Sequence, residues 1–175
     1  MTGGCAPASE TAEWIEVVVK ENADDILRYL RRRVNQPEDA ADLLGRVLLA
    51  LWENATRVPA TDPESRMWCF GIARNVLREY YRHTAKRIAL ADDLREHLRS
   101  AAQPDNAADA AAEVRMRAEV VRRAVMSLDA RSRELVTLIH WDGFTIAEAA
   151  RLLSMNESTA RTRYGRALQR LQRGL

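Results

Sequence analysis

A chain of 175 residues with 47% hydrophobic and 30% charged side chains can build one ordinary domain or two small ones, and is no low-complexity tail. Aromatic residues at 6%, with 7 glycines and 5 prolines, leave few of the turn signals that a many-stranded sandwich needs. The net charge of +2 says little alone, but the basic residues are 25 arginines against 2 lysines. Arginine favours bidentate phosphate and base contacts, although a GC-rich genome enriches it too. No apolar run reaches the roughly 18 residues of a membrane span, and Met1 to Glu10 lacks the basic-then-apolar order of a signal peptide. Cys5 and Cys69 form no metal or disulfide pattern, which fits a reducing cytoplasm and calls for no metal or cofactor.

Residues 1–13 read as a mobile N-terminal extension. Ile26, Leu27, Leu30 and Val34 then recur at helical spacing, up to Asn35-Gln36-Pro37, where proline stops the helix. Pro37 suits the first turn of the next helix, with Glu38 and Asp39 on its positive end. Ala40, Leu44, Val47, Leu48 and Leu51 give that helix its stripe, but Leu43 and Leu49 exceed one stripe. Some of these apolar side chains should be exposed unless a partner covers them, so this helix is a protein-interface candidate. Thr56 to Ser65, with Pro59 and Pro63, reads as a loop. A third helix carries Trp68, Ile72, Val76 and Tyr80 at four-residue steps.

On that third helix Arg74, Arg78 and Arg82 fall on one face beside Asn75, and residues 66–87 hold six basic groups against Glu79 alone. Trp68, Phe70, Tyr80 and Tyr81 interleave with them. A basic stripe with aromatics grips single-stranded nucleic acid by phosphate neutralisation and base stacking. An aromatic core beneath a charged outer face is the plainer alternative. From Ile88 to Ala112 the pattern weakens: Leu90, Leu94 and Leu98 suit a short amphipathic helix, and Ala101 to Ala112, broken by Pro104, reads as flexible linker. Residues 89–112 carry 2 basic and 5 acidic groups, and residues 113–175 carry 12 and 7.

The last third opens with Val114, Ala118, Val121, Val125 and Leu128, then Leu135, Val136 and Ile139. Gly143 can take a left-handed turn, Phe144 can staple, and Thr145 to Glu148 is a capping box that starts a short helix through Leu153. Ser154-Met155-Asn156 makes a turn, with Asn156 able to cap the next helix. That is a helix-turn-helix. Its second helix presents Ser158, Thr159, Arg161, Thr162, Arg163 and Arg166, and residues 158–175 hold five arginines and no acid. Arg163, Arg166, Arg170 and Arg173 share a stripe beside an inward face of Tyr164, Leu168, Leu171 and Leu175. The first turns of such a helix enter the major groove, where arginine reads guanine edges and hydroxyls bind phosphate or base. The expected fold is therefore all-α: two small helical domains, 14–87 and 113–175, joined by a flexible acidic linker, 88–112.

Glu38-Asp39-Ala40-Ala41-Asp42-Leu43-Leu44 through Trp52 resembles the core-binding helix of bacterial sigma factors. Trp68 to Asn75, with Glu79 and Arg82, resembles the family's promoter-melting helix. Leu128 to Glu134, Gly143 to Ala150 and Ser158 to Arg163 with Arg166-Ala167 look like its minus-thirty-five domain. With only these two domains, the chain resembles the extracytoplasmic-function (ECF) group. The resemblance implies a sigma factor that directs core RNA polymerase to promoters and nucleates DNA melting. Asp39, Asp42, Leu43 and Arg46 would meet the beta-prime clamp helices, and the second domain the beta flap. Trp68, Arg74, Asn75, Arg78 and Arg82 would take the minus-ten element, the Thr56 to Ser65 loop holding a flipped base. Ser158, Thr159, Arg161, Thr162, Arg163 and Arg166 would contact the minus-thirty-five duplex. An anti-sigma factor is an implied partner. Gly45-Arg46 stands where the family usually has a glutamine and an acid, and Ser154 where it has a turn glycine.

Two rivals remain open at this point. A free-standing helix-turn-helix regulator acting as a dimer explains Gly143 to Arg173 equally well but leaves Trp68 to Arg82 without a task. A helical protein that sequesters a regulator requires no arginine stripe. An enzyme is the poorest fit: His83, His97 and His140 are scattered, and no phosphate-cradling glycine loop exists.

Overall fold

The computed structural model describes residues 8–34, 36–95 and 120–174, with side chains for 12–34, 36–85 and 120–173. Helices α1 (Ala8–Arg31), α2 (Pro37–Glu53) and α3 (Asp62–Arg95) form a first unit, within residues 1–99. A helical segment α4 (120–126), then α5 (Ala130–His140), α6 (Ile146–Leu152) and α7 (Glu157–Gly174), form a second. Among the described residues there is no strand.

Burial follows helical periodicity. Ile15, Val18, Ile26, Tyr29 and Leu30 line the inner face of α1, and Leu27 and Val34 are half-buried. Pro37 opens α2 after an extended Gln36, and Ala40, Leu43, Val47 and Leu51 are its buried row. Helix α3 answers with Cys69, Phe70, Ala73 and Leu77. The three helices pack pairwise, with the Tyr29 and Phe70 rings edge to face at 5.4 Å. Burial pushes the Cys69 thiol up to about 12, so it behaves as a small apolar core residue.

Several expected boundaries move. Helix α1 begins at Ala8, inside the stretch expected to be a mobile extension; residues 1–7 lie outside the described residues. Helix α3 begins at Asp62 and runs unbroken to Arg95, so it takes in the end of the expected loop and enters the expected linker. Leu98 and the rest of 96–119 lie outside the described residues. Between α2 and α3 stands a single 3-10 turn, Ala55–Arg57.

In the second unit the core gathers Leu128, Leu135, Val136, Leu138, Phe144, Ala149, Ala150, Leu153, Ala160 and Ala167. The deepest residues of α7 are the alanines at 160 and 167, with Tyr164, Leu168 and Leu171 half-buried beside them. Small side chains there let α7 approach α5 and α6 closely.

Candidate nucleic-acid interface

Helix α3 turns one face to the core and the other outward. Asn75, Arg78 and Arg82 are exposed, and Trp68 and Arg74 half-buried, on a single continuous helix. Arg82 pairs with the Glu79 carboxylate, and His83 Nε2 stands 2.9 Å from the same oxygen. Desolvation pushes Glu79 upward, but the hydrogen bonds and charges of Arg82 and His83 prevail and hold it below the usual carboxylate range.

The interleaved aromatics divide by role. Phe70 is 1% exposed and belongs to the core, with Arg66 lying 4.8 Å over its ring, so it offers no stacking surface. Tyr80 donates its hydroxyl to Asp39 Oδ2 at 2.7 Å, and the Tyr81 hydroxyl donates to the Arg33 carbonyl. These two tie α3 to the start of α2 and to the turn that follows α1. The segment read as a ten-residue loop is shorter: only 58–61 lies between the 3-10 turn and α3. Trp14 Nε1 donates to the Pro59 carbonyl at 2.8 Å and pins it to α1. Ser65 is buried in the first turn of α3, its hydroxyl on the Asp62 carbonyl at 3.0 Å.

On α2 one expectation is overturned. Leu43, placed on the polymerase-facing surface, is 1% exposed and packs in the core, because it falls in the buried row with Ala40 and Val47. The exposed apolar surface is carried instead by Leu49 at 61% and Trp52 at 43%, with Leu44 and Leu48 half-buried. Asp42 and Arg46 are exposed, and Asp39 is half-buried under the Tyr80 hydroxyl. An added Cβ at Gly45 would meet nothing within 4 Å, so that glycine is no packing requirement.

The helix-turn-helix is built as its local chemistry dictates. Gly143 takes φ 74, and Phe144, 4% exposed, closes N–H onto the Leu138 carbonyl at 3.0 Å. Thr145 and Glu148 form the reciprocal capping box. At the turn Ser154 is left-handed, φ 51; its N–H reaches Arg151 O at 3.1 Å and Met155 N–H reaches Ala150 O at 2.9 Å. That pair of bonds is the Schellman closure, with serine in the usual glycine seat. Asn156 Oδ1 accepts from the Ser158 N–H at 2.9 Å and hydroxyl at 2.8 Å, so it caps α7.

The expected reading residues then separate. Ser158, Thr159, Arg161, Thr162 and Arg166 are exposed on the first turns of α7. Thr162 Oγ1 donates to the Ser158 carbonyl at 3.0 Å, and Arg161 pairs with Glu157 one turn back. Arg163 departs from the group: its Nη1 turns back onto Asp129 Oδ1 at 2.9 Å and Ser132 Oγ at 3.3 Å. Between the head of α5 and α7 lies an open cleft of about 470 Å³, lined by Asp129, Ser132, Thr159, Thr162, Arg166 and Arg170. Asp129, which caps α5, was not among the expected site residues; its only sequence signal was an acid three residues before Ser132. Among the described residues no group of His, Cys, Asp and Glu could hold a metal ion, and no helix is long and apolar enough to cross a membrane.

A helix-turn-helix unit and a separate three-helix unit with a basic outer stripe make this a two-domain helical DNA-binding protein. Residues 18–87 match the Sigma-70 region 2 family and residues 118–171 match Sigma-70, region 4. The ECF RNA polymerase sigma factor SigF of Caulobacter vibrioides is 30% identical over 149 residues, 82% of this chain and 74% of that protein. The ECF RNA polymerase sigma factor SigL of Mycobacterium tuberculosis is 24% identical over 165 residues, 94% of this chain and 90% of that one. The sigma factor RpoE of Bartonella quintana, solved with the anti-sigma factor NepR, shares the fold at a TM-score of 0.60 and 21% identity, covering 95% of this chain and 97% of its own. The chain belongs to the sigma-70 family, as an RNA polymerase sigma factor of the extracytoplasmic-function group.

Proposed function

We propose that this sigma factor, working in the cytoplasm, brings core RNA polymerase to two-part promoters and divides the work between its units. On α2, Asp42, Arg46, Leu49 and Trp52 dock on the beta-prime clamp helices, while Asp39 braces α3 through Tyr80. On α3, Trp68, Arg74, Asn75, Arg78 and Arg82 take the minus-ten element and nucleate the bubble, the 58–61 segment flanking the extruded base. On α7, Ser158, Thr159, Arg161, Thr162 and Arg166 read the upstream duplex, and the second unit rests on the beta flap. The protein itself makes and breaks no covalent bond; the polymerase does. The observation that carries this reading is the outward basic face of α3 in the same chain as a correctly capped helix-turn-helix.

Transcription with purified core polymerase, with and without this chain, on a pool of genomic promoter fragments tests it. Specific transcripts appearing only with the chain are the expected outcome; silence together with failure to bind core on gel filtration would favour a free-standing regulator. Arg161→Ala with Arg166→Ala should lower dependence on the upstream element and spare core binding. Asn75→Ala should impair opening more than docking, and equal losses would mark a structural role.

The Leu49 and Trp52 surface also suits an inhibitory protein partner, of the kind with which RpoE was crystallised. Purification from the native cell at several growth stages checks this; polymerase as the sole companion throughout would dismiss it.

A further inference from the structure

Asp129 serves two partners with one carboxylate. Its Oδ1 accepts the Ser132 N–H at 3.1 Å and its Oδ2 accepts the Ser132 hydroxyl at 2.5 Å, which closes the N-terminus of α5. The same Oδ1 accepts from Arg163 Nη1 at 2.9 Å, across 34 residues of sequence. Arg163 Nε is sealed from solvent without a hydrogen-bond partner. Arginine reads guanine by presenting two N–H groups side by side. With Nη1 engaged and Nε sealed, Arg163 has only Nη2 left to offer.

The pair stands where its charges matter to DNA. Asp129 and Arg163 line the same cleft as Ser158, Thr159, Thr162 and Arg166, and the side chains are 60% and 34% exposed. A bare carboxylate there repels every phosphate, and a bare guanidinium attracts every phosphate, whatever the sequence. Held together, the two present almost no net charge. An ion pair this exposed adds little to folding, so its main effect lies in where charge is presented.

We propose, on the reading of α7 as the upstream-duplex reader, that Asp129 and Arg163 form a charge-neutral clasp that withholds Arg163 from DNA. Asp129 is then a positioning residue that protects specificity: it suppresses a phosphate contact that would strengthen binding to any duplex. Base reading is left to Arg166, Arg161 and the hydroxyls of Ser158, Thr159 and Thr162.

The test uses holoenzyme assembled from the full chain and core polymerase. The probes are a promoter fragment recovered by run-off transcription of genomic fragments, and the same fragment with its upstream element scrambled. Asp129→Asn keeps a capping acceptor for Ser132 and removes the charge. It should bind both fragments more tightly. Its plot of log affinity against log salt should steepen by about 0.9, so that a fourfold rise in salt costs it about 3.5-fold more than the unaltered protein. Arg163→Ala bares the carboxylate and should weaken both fragments equally. Asp129→Asn with Arg163→Ala should return to within about twofold of the starting affinity.

An Arg163→Ala loss confined to the intact fragment, and not relieved by Asp129→Asn, would make Arg163 a base reader and overturn the clasp. Weaker binding or an unchanged salt slope in Asp129→Asn would do the same. Arg166→Ala separates the levels: lost upstream preference keeps α7 as the reader, whereas unchanged preference removes that reading and the clasp with it.

Discussion

Replacing Ser154 with glycine should stabilise the second unit. Ser154 is the one non-glycine described residue at positive φ, 51. A side chain in the left-handed region costs about 1–2 kcal/mol, through crowding of Cβ on the following carbonyl. Glycine recovers that, and gives back roughly 0.5–1 kcal/mol because its unfolded chain is freer. The serine hydroxyl makes no hydrogen bond among the described residues and the residue is exposed, so nothing else is lost. Taking the middle of each range, the net gain is about 0.75 kcal/mol, or roughly 3–6 °C in the melting transition of a unit this size. Calorimetry of the full chain reads it directly. Hydrogen exchange at the Met155 amide, which closes the turn on Ala150 O at 2.9 Å, should slow in step. An unchanged or lowered transition would mean that the turn carries no such strain, and the argument from φ would fail.

Gly165→Ala should also stabilise, by about 0.8–1 kcal/mol, because a Cβ there meets nothing within 4 Å in the interior of α7; a lower denaturant midpoint would contradict the open geometry. Leu49→Ala with Trp52→Ala should leave folding within about 0.5 kcal/mol, since both are exposed. Retention on core polymerase in gel filtration should fall, and undiminished retention would remove Leu49 and Trp52 from the docking surface. Acid should weaken the second unit through Asp129, whose carboxyl the Ser132 hydroxyl and N–H, with Arg163 beside them, hold below its ordinary range. A group lowered on folding contributes fully above the ordinary carboxylate range and is lost as pH falls through its lowered value. The urea midpoint followed into acid should therefore drop less in Asp129→Asn; an identical acid limb would show that Asp129 does not drive it.

What the sequence discloses here is what is local. Thr145 to Glu148, Gly143 and Asn156 act on neighbours within four residues, so their chemistry is legible from spacing alone, and each is found as expected. The misplacements have long-range causes. Leu43 and Leu49 look alike in a helix with surplus apolar residues; only the packing of α1 and α3 against α2 decides that Leu43 turns inward. Phe70 sits in a basic segment, yet Cys69, Ala73 and Leu77 share its buried face. Pro63 read as a loop residue, but proline is tolerated in a first helical turn and is the second residue of α3. The Arg163 clasp joins residues far apart in sequence, and no periodicity signals it.

In the first unit, the helix proposed to dock and the helix proposed to open DNA pack directly against each other. Helix α3 spends its inner face on the core with Cys69, Phe70, Ala73 and Leu77, and its outer face on the arginine stripe. Two hydroxyls at neighbouring positions hold the far end of that stripe: Tyr80 onto Asp39 at the start of α2, Tyr81 onto the Arg33 carbonyl in the turn after α1. Arg33 in turn lies 3.7 Å over the Tyr29 ring, which packs on Phe70. The contacts thus run from α3 to α1 and back to α3. If α2 is the docking helix, as proposed, a polymerase subunit seated on it would fix, through Asp39 and Tyr80, where Asn75, Arg78 and Arg82 stand relative to it. Preorganisation of this kind matters for strand opening, because capture of an unpaired base competes with a stacking energy of a few kcal/mol. A loosely held stripe would lose much of that margin to the cost of ordering its own side chains. On the proposed division of labour, the Tyr80–Asp39 hydrogen bond is the link through which docking on α2 would be passed to the DNA-opening face of α3.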